Sequence, residues 1–405
     1  MNTSLSGRMR GLLALALAAA LAAGCGGGGG SDVGSGGTGA PASAFAQGPI
    51  SGFGSIVVSG VHFDDSQASI SDEDGHVLTS DDLHLGTTVD LQGSDDHSGE
   101  VHASVIHVRT DLVGTVTAAW DPATGRLAVL GQPVLVDAST ALDDFTGGAG
   151  AIAAGSVVAV HALYDPATGV YVATRIEPAT GATAFVVRGT VAALDTAAQT
   201  FAIGGQVFSY AGVTAPAGFA DGQVVRVRLQ TAQDGAGRWV VTGFSAGNVV
   251  PPEDHEGELE GVVGALTDAA HFTVAGIPVD ASQAVFDPAG SSVVVQSRVE
   301  IHGTMTGGVL VATTVEVKTH GDDDNRGPGH GGGGDDGIEI DGPILTAIDT
   351  VAHTFGMRGP TTVDYTSAEF HDGTAADLAT GRQVEVKGAL SADGTRVIAS
   401  RIEFR

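Results

Sequence analysis

The sequence contains one cysteine, Cys25, in 405 residues, so no disulfide within the chain can brace its fold. Basic residues are also scarce, because 18 Lys and Arg stand against 47 Asp and Glu, for a formal net charge of −29. A surface this acidic repels nucleic acid, which is therefore excluded as a predicted partner. Aromatic residues make up only 5 % of the chain and offer few stacking platforms for bases or sugars.

Catalytic motifs and helical patterns are missing as well. The chain has no G-x-S-x-G elbow, no phosphate-binding P-loop and no G-x-G-x-x-G motif before a helix. The sequence therefore predicts no catalytic residue, no cofactor and no enzyme. Val, Thr, Asp and 62 glycines abound in place of long helix-forming segments, which is typical of short strands and turns and predicts an all-β protein.

One strand pattern, approximately G-x-x-V-x-V, recurs five times along the chain. The copies lie at 83–93, 152–162, 219–229, 293–303 and 378–388. Each copy follows a first strand that contains a glycine, and closing strands of the type A-x-x-I/V follow at 103–106, 173–176, 312–315 and 399–402. Self-similarity at this spacing predicts an array of small equivalent modules and not one large catalytic domain.

Breaks between the copies set the predicted domain boundaries. A Gly/Asp-rich linker is predicted at 321–337, where apolar side chains are missing. The five β modules are predicted at 47–110, 111–180, 184–248, 257–320 and 338–405. A module of about 65 residues is too small for a large sandwich, and closing its sheet into a small barrel removes the exposed edges.

Alternation of apolar and charged residues predicts the strand register. In 384–387, two valines alternate with a glutamate and a lysine, and 89–92 and 225–228 repeat this pattern. Period two places the apolar residues in a barrel core and the charged residues in water. We therefore expect Val384, Val386 and Ile402 to be buried, with Glu385 and Lys387 exposed. The repeated D-P-A-T-G segments at 121–125 and 165–169 predict hairpin turns.

The segments GPISGFGSIVVSGVHFD at 48–64 and DLHLGTTVDLQG at 82–93, with a closing A-x-x-I strand, resemble a bacterial family called domain of unknown function 5666. The resemblance is sharpest over 48–178 and weaker over 338–405. It implies tandem OB-like barrels in exported lipoproteins. It implies no activity, and it transfers no functional residue to this chain.

The N-terminal segment has the features of a bacterial lipoprotein signal. Arg8 and Arg10 precede an apolar run at 11–23 that ends in LAAGC. We expect a signal peptide at 1–24, lipid attachment (palmitate among the acyl chains) at Cys25, and a Gly/Ser-rich tether at 25–46. The alternative is an ordinary secretory signal with a chance cysteine. Gly26 stands where an inner-membrane retention signal has Asp, which favours the outer membrane.

Histidines and aromatic residues are the candidate binding residues of this chain. The first module holds His62, His76, His84, His97, His102 and His107, without the spacing of a metal motif. We therefore favour polar surface over a transition-metal site. The linker fails as a calcium loop, because Arg326 and Gly333 occupy ligand positions. The scattered Trp120, Trp239, Tyr164, Tyr171, Tyr210 and Tyr365 are interpreted as core or rim residues and not as a sugar-binding face.

These observations favour a non-enzymatic lipoprotein of the bacterial cell envelope with a structural or protein-binding role. Its lipid would tie it to the outer membrane, facing the periplasm or the exterior, with an envelope protein or a glycan as its partner. A glycan- or other ligand-binding array is the first alternative. An envelope enzyme of an unidentified class is the second.

The lipid anchor gives a direct prediction. Metabolic labelling with an azido-palmitate analogue should mark the wild-type protein and not Cys25→Ser, because the thiol is the acylated group. Wild-type protein should also sediment with membranes. Equal labelling of both proteins would contradict acylation at Cys25.

Overall fold

The computed structural model describes residues 43–95, 101–247, 250–318 and 337–405. The predicted signal peptide, Cys25, most of the tether and nearly all of the linker lie outside these residues. Pro41–Arg405 forms one compact unit. Its described part is all-β, and none of its helices is long and apolar enough to cross a membrane.

The strands fall into five successive groups, which we call barrels one to five. Barrel one contains β1 (Ser43–Phe53), β2 (Ile56–Val58), β3 (Val61–Asp64), β4 (Ser69–Asp72), β5 (Thr88–Asp95) and β6 (Val101–Arg109). Barrel two contains β7 (Leu112–Asp121), β8 (Arg126–Val129), β9 (Gln132–Leu135), β10 (Val157–Asp165) and β11 (Val170–Pro178). Barrel three contains β12 (Phe185–Thr190), β13 (Ala192–Asp195), β14 (Thr200–Ile203), β15 (Gln206–Ser209), β16 (Val224–Gln233) and β17 (Trp239–Ala246).

Barrels four and five complete the chain. Barrel four contains β18 (Glu256–Asp268), β19 (His271–Val274), β20 (Ile277–Asp280), β21 (Val285–Asp287), β22 (Arg298–Thr306) and β23 (Val309–Lys318). Barrel five contains β24 (Ile338–Pro343), β25 (Thr354–Met357), β26 (Thr361–Asp364), β27 (Glu369–His371), β28 (Gln383–Leu390) and β29 (Val397–Phe404). Short 3₁₀ turns lie at Ser80–Asp82, Gly148–Ala151 and Ala375–Asp377.

Barrel two shows how each sheet closes on itself. Strand β7 pairs antiparallel with β8 and with β10, and β8 continues into the β8–β9 hairpin. Strand β11 pairs antiparallel with β10 and parallel with β9, which completes the circuit. Five strands with a single parallel pair therefore form a small OB-like barrel whose edges are all paired. This arrangement confirms the predicted fold class.

The same circuit recurs in barrels one, three and four, where β3, β15 and β20 pair parallel with β6, β17 and β23. In barrel five, β24 ends at Pro343. A hydrogen bond from Leu345 N to Gly356 O then joins the chain after β24 to β25. Every copy also carries a register shift between its last two long strands. A bulge at an equivalent position bends each strand pair around its barrel.

In barrels two and four, the first long strand contains a glycine where the chain packs tightly over it. A Cβ placed on Gly114 would lie 2.5 Å from Leu130 Cδ1, and one on Gly261 would lie 2.6 Å from Val274 Cγ1. Leu130 and Val274 are fully buried. The hairpin side chain therefore occupies the space over the glycine, which explains the repeated residue that the sequence shows.

Turn chemistry and core register follow the sequence prediction in most places. Gly125 and Gly169 adopt φ values of +64° and +71°, and Asp121 and Asp165 accept hydrogen bonds from the backbone two residues on. The three side chains predicted in the core of barrel five are completely buried, as expected: Val384, Val386 and Ile402. Each hairpin and each core strand thus has the register that its sequence pattern predicts.

The barrels pack against one another through strand edges and shared cores. Residues 44–47 of β1 pair with β5 on one side and parallel with β18 on the other, and Gly52 and Phe53 pair with β24. Strand β7 pairs with β12, which joins barrels two and three. Barrels one and five share one continuous apolar cluster, and barrels two and three share another.

Two expectations need correction. The tether was predicted to reach residue 46, but β1 begins at Ser43, because its backbone is paired on both sides. Glu385 was predicted to be exposed, but it is 7 % exposed and forms ion pairs with Lys387 and Arg405. Outer barrel faces are covered by neighbouring chain, so a charge on such a face does not always lie in water.

Gly114 gives a stability prediction. Gly114→Ala should lower the unfolding temperature, because the new methyl group collides with buried Leu130, and such overpacking costs roughly 1–3 kcal/mol. Gly243→Ala is the matched control, since nothing lies within 4 Å of a Cβ at that strand position. Thermal unfolding followed by circular dichroism measures both. Equal melting temperatures would show that position 114 does not require glycine.

Candidate functional site

Arginines buried between barrels are the most unusual feature of the described residues. Arg175 and Arg188 are among the largest completely buried side chains, and Arg226 is 3 % exposed. Alternation along β16 predicts Arg226 on the outer face of barrel three, in water. That outer face is instead covered by barrel one, so the prediction of a solvated charge is wrong at this position.

Glu73 and Asp74 meet the arginines of barrel three. They lie in the turn after β4, where Gly75 adopts a φ of +83° and directs the acidic pair outward from barrel one. Glu73 forms ion pairs with Arg188 and with Arg226, the second at 3.1 Å. Asp74 accepts two hydrogen bonds from Arg226, at 2.9 and 3.2 Å. We call these residues, together with Asp111, the Glu73 cluster.

Asp111 completes this cluster from the segment between β6 and β7. Its side chain is fully buried, with Oδ1 2.9 Å from Arg188 Nε, and Oδ2 accepts a hydrogen bond from Ala162 N. Its backbone carbonyl accepts a hydrogen bond from Arg188 N. Arg188 also donates to the carbonyl of Gly247. One guanidinium thus contacts barrels one and three and the segment that joins barrels one and two.

Within the Glu73 cluster, the electrostatics favour the charged forms of Glu73 and Arg188. Burial acts to raise the pKa of Glu73, but the guanidinium groups of Arg188, Arg226 and Arg109 outweigh it and hold that pKa below its ordinary value. Burial opposes the charge of Arg188, but Glu73 and Asp111 raise its pKa. Charges paired this closely in a dry site contribute to stability only while both partners remain.

A second cluster joins barrels one and two around Arg175, whose side chain has no exposed surface. Arg175 forms ion pairs with Asp143 at 2.5 Å, with Asp144, and with Glu177 at 3.0 Å. It also donates to the carbonyl of Leu85 in barrel one, at 3.4 Å. Burial acts against the charge of Glu177, yet hydrogen bonding to His161 and the nearby charges lower its pKa to about 2. We call Arg175 and its three acids the Arg175 cluster.

Arginines also join the remaining barrels. Arg298 of barrel four donates to Glu260 at 2.7 Å and to Ser139 of barrel two at 2.8 Å. Arg358 of barrel five forms an ion pair with Asp65 of barrel one and stacks over the Phe53 ring at 5.3 Å. Arginine side chains therefore connect the five barrels in the described part of the chain, by ion pairs or, for barrel four, by a hydrogen bond to Ser139.

Buried polar atoms collect where barrels one, two, three and four converge. Gln47 donates to Asp90 at 2.6 Å, and Arg109 lies 3.4 Å from the same oxygen of Asp90. Burial raises the pKa of Asp90, although Arg109 acts to lower it. Gln47 Oε1, Asp90 Oδ2 and Arg109 Nε have no hydrogen-bond partner among the described residues. Such atoms are the usual partners of internal water.

Histidines of the first module are mostly dispersed over the surface of barrel one. His76 pairs with Asp72, His102 with Asp64, and His107 with Ser71, each as a separate contact. Cys25 and His97 lie outside the described residues. His84 differs, because the structure brings it beside Asp143 and Asp144 of barrel two. That three-residue group could not be recognised from spacing, since its members come from two barrels.

The aromatic residues agree with the interpretation as core or rim residues. Four of the six are buried by the structure and two are partly buried: Trp239, Tyr171, Tyr210 and Tyr365, then Trp120 and Tyr164. Tyr171 hydrogen-bonds to the carbonyl of Arg188, within the interface between barrels two and three. These rings therefore stabilise the barrels and leave no row of Trp and Tyr faces across the described surface.

Comparison with known families identifies the repeated unit. Residues 113–177, 260–316 and 345–403 match the model of a family described as "Domain of unknown function (DUF5666)". These segments cover most of barrels two, four and five, so the resemblance to this family is confirmed for those three barrels. The segments at 48–64 and 82–93, on which the resemblance is based, lie in barrel one, outside the matched residues. No curated protein matches the chain.

The Glu73 cluster gives a stability prediction. Glu73→Gln should destabilise the protein by on the order of 3 kcal/mol, because Arg188 and Arg226 would stay buried with one carboxylate fewer. Glu369→Gln is the control, since that side chain is 78 % exposed. Thermal unfolding at pH 7 measures the difference. If both variants have the same melting temperature as the wild type, the cluster does not hold barrels one and three together.

Proposed function

We propose that this protein, built from repeated DUF5666 domains, is a non-enzymatic structural or protein-binding component of the bacterial cell envelope. A lipid on Cys25 would hold it to the outer membrane, with the barrels in the periplasm or at the exterior. The proposed location rests on the charged, apolar and LAAGC segments at the N-terminus.

The observation that carries the structural role is the use of arginine between barrels. In a chain with 18 basic residues, Arg175, Arg188, Arg226, Arg298 and Arg358 all bridge one barrel to another. The carboxylates at these contacts, which could otherwise act as acids or bases, form ion pairs with the buried arginines. This arrangement favours a rigid body over a catalytic cleft.

The same arrangement supports a protein partner over a glycan. Trp and Tyr rings, which usually stack on sugars, point into the barrels, as with Tyr171 and Tyr210. Since acids outnumber basic residues 47 to 18 and five arginines lie between barrels, we expect acidic groups to dominate the exposed surface. An acidic rigid surface favours a partner with a basic face.

Two measurements test this function. Cross-linking in intact cells, followed by purification of the full-length tagged protein from solubilised envelope, should yield one discrete protein partner, and the protein should float with outer-membrane vesicles. Small-angle scattering should give a radius of gyration of about 21 Å, the value for a compact body of this length.

Controls distinguish the alternatives. Capture of the partner should fall in Glu73→Gln, which loosens barrels one and three, and should persist in Glu369→Gln. Saturable binding to purified envelope glycans without a protein partner would favour the ligand-binding alternative. Turnover of an envelope substrate by wild-type protein would overturn the non-enzymatic role.

A further inference from the structure

A group of three potential metal ligands lies between barrels one and two. His84 follows the 3₁₀ turn Ser80–Asp82 of barrel one, and Asp143 and Asp144 precede the 3₁₀ turn Gly148–Ala151 of barrel two. One ring nitrogen of His84 and one oxygen of each carboxylate all lie within 4.8 Å of one another. An ion at their centre would be within reach of all three side chains after small adjustments.

The imidazole of His84 is suited to bind a metal. Its Nδ1 is buried and has no hydrogen-bond partner among the described residues. A buried ring nitrogen without a hydrogen-bond partner costs stability, and an imidazole nitrogen is a common metal ligand.

The carboxylates are positioned in the same way. Arg175 donates hydrogen bonds to Oδ1 of Asp143 and to Oδ2 of Asp144. The other oxygen of each carboxylate accepts no hydrogen bond from the described residues. Carboxylates that ligate metals are commonly held by hydrogen bonds on their other side. Arg175 can thus orient both ligands without blocking them.

Charge balance also leaves room for a cation. Three carboxylates surround Arg175, because Glu177 joins Asp143 and Asp144. His161 lies 3.8 Å from Glu177, and its Nδ1 donates to the carbonyl of Arg109. The acids here exceed the cations that the chain supplies.

We propose that His84, Asp143 and Asp144 bind one divalent transition-metal ion that connects barrel one to barrel two. One imidazole with two carboxylates suits Zn²⁺ and its neighbours in the first transition row, and three protein ligands leave one position for water. The ion adds to the Arg175 cluster, which already joins these barrels through the carbonyl of Leu85. The ion would also balance the surplus negative charge of the three carboxylates around Arg175.

Isothermal titration of EDTA-treated full-length protein with ZnCl₂ in detergent tests the proposal. The wild type should bind one ion, and His84→Gln should weaken binding at least tenfold. His107→Gln is the control, because His107 lies on the same barrel beside Ser71, away from this group. Asp143→Asn should weaken binding as His84→Gln does.

Thermal unfolding provides the second readout. Zn²⁺ should raise the melting temperature of the wild type and of His107→Gln, and should leave that of His84→Gln unchanged. The metal-free melting temperature of His84→Gln, compared with metal-free wild type, reports whether the variant still folds. Equal binding by His84→Gln and wild type would assign the ion to the acidic surface and overturn the site, as would the lack of any stoichiometric binding.

Discussion

A guanidinium group removed from water between two packed barrels costs several kcal/mol unless carboxylates and carbonyls surround it. Arg188 meets this condition only when its neighbours are docked, because Glu73 comes from barrel one and Asp111 from a connecting segment. The three acids of Arg175 belong to its own barrel, and docking adds the carbonyl of Leu85. An isolated barrel would leave its acids and arginines in water. Docking therefore has a defined geometry, since a shifted barrel would leave a buried charge without its partner.

The interior of each barrel could be derived from the sequence, and its exterior could not. Val384 and Val386 face the core because period-two alternation is a local property of a strand. Arg226 and Glu385 obey the same alternation but are buried, because barrel one or the chain terminus covers them. The pattern of one strand contains no information about what packs on its outer face.

The candidate sites lie on the outer faces of the barrels, so the sequence could not predict them either. His84 is adjacent in sequence to no ligand, and its two carboxylate neighbours lie about sixty residues away in the next barrel. Glu73 and Arg226 are separated by still more of the chain. One local signal was available, namely arginine at strand positions in a chain that has few cations. Assigning its partners requires the relative placement of the barrels.

Strand β1 has consequences for the order in which the chain matures. It is the first described strand to be synthesised, yet residues 44–47 pair with β18, and Gly52 and Phe53 pair with β24. Those partners begin at Glu256 and Ile338. The outer edge of β1 is therefore open to pairing with foreign strands until the C-terminal barrels have been synthesised. C-terminal truncation would expose that edge permanently.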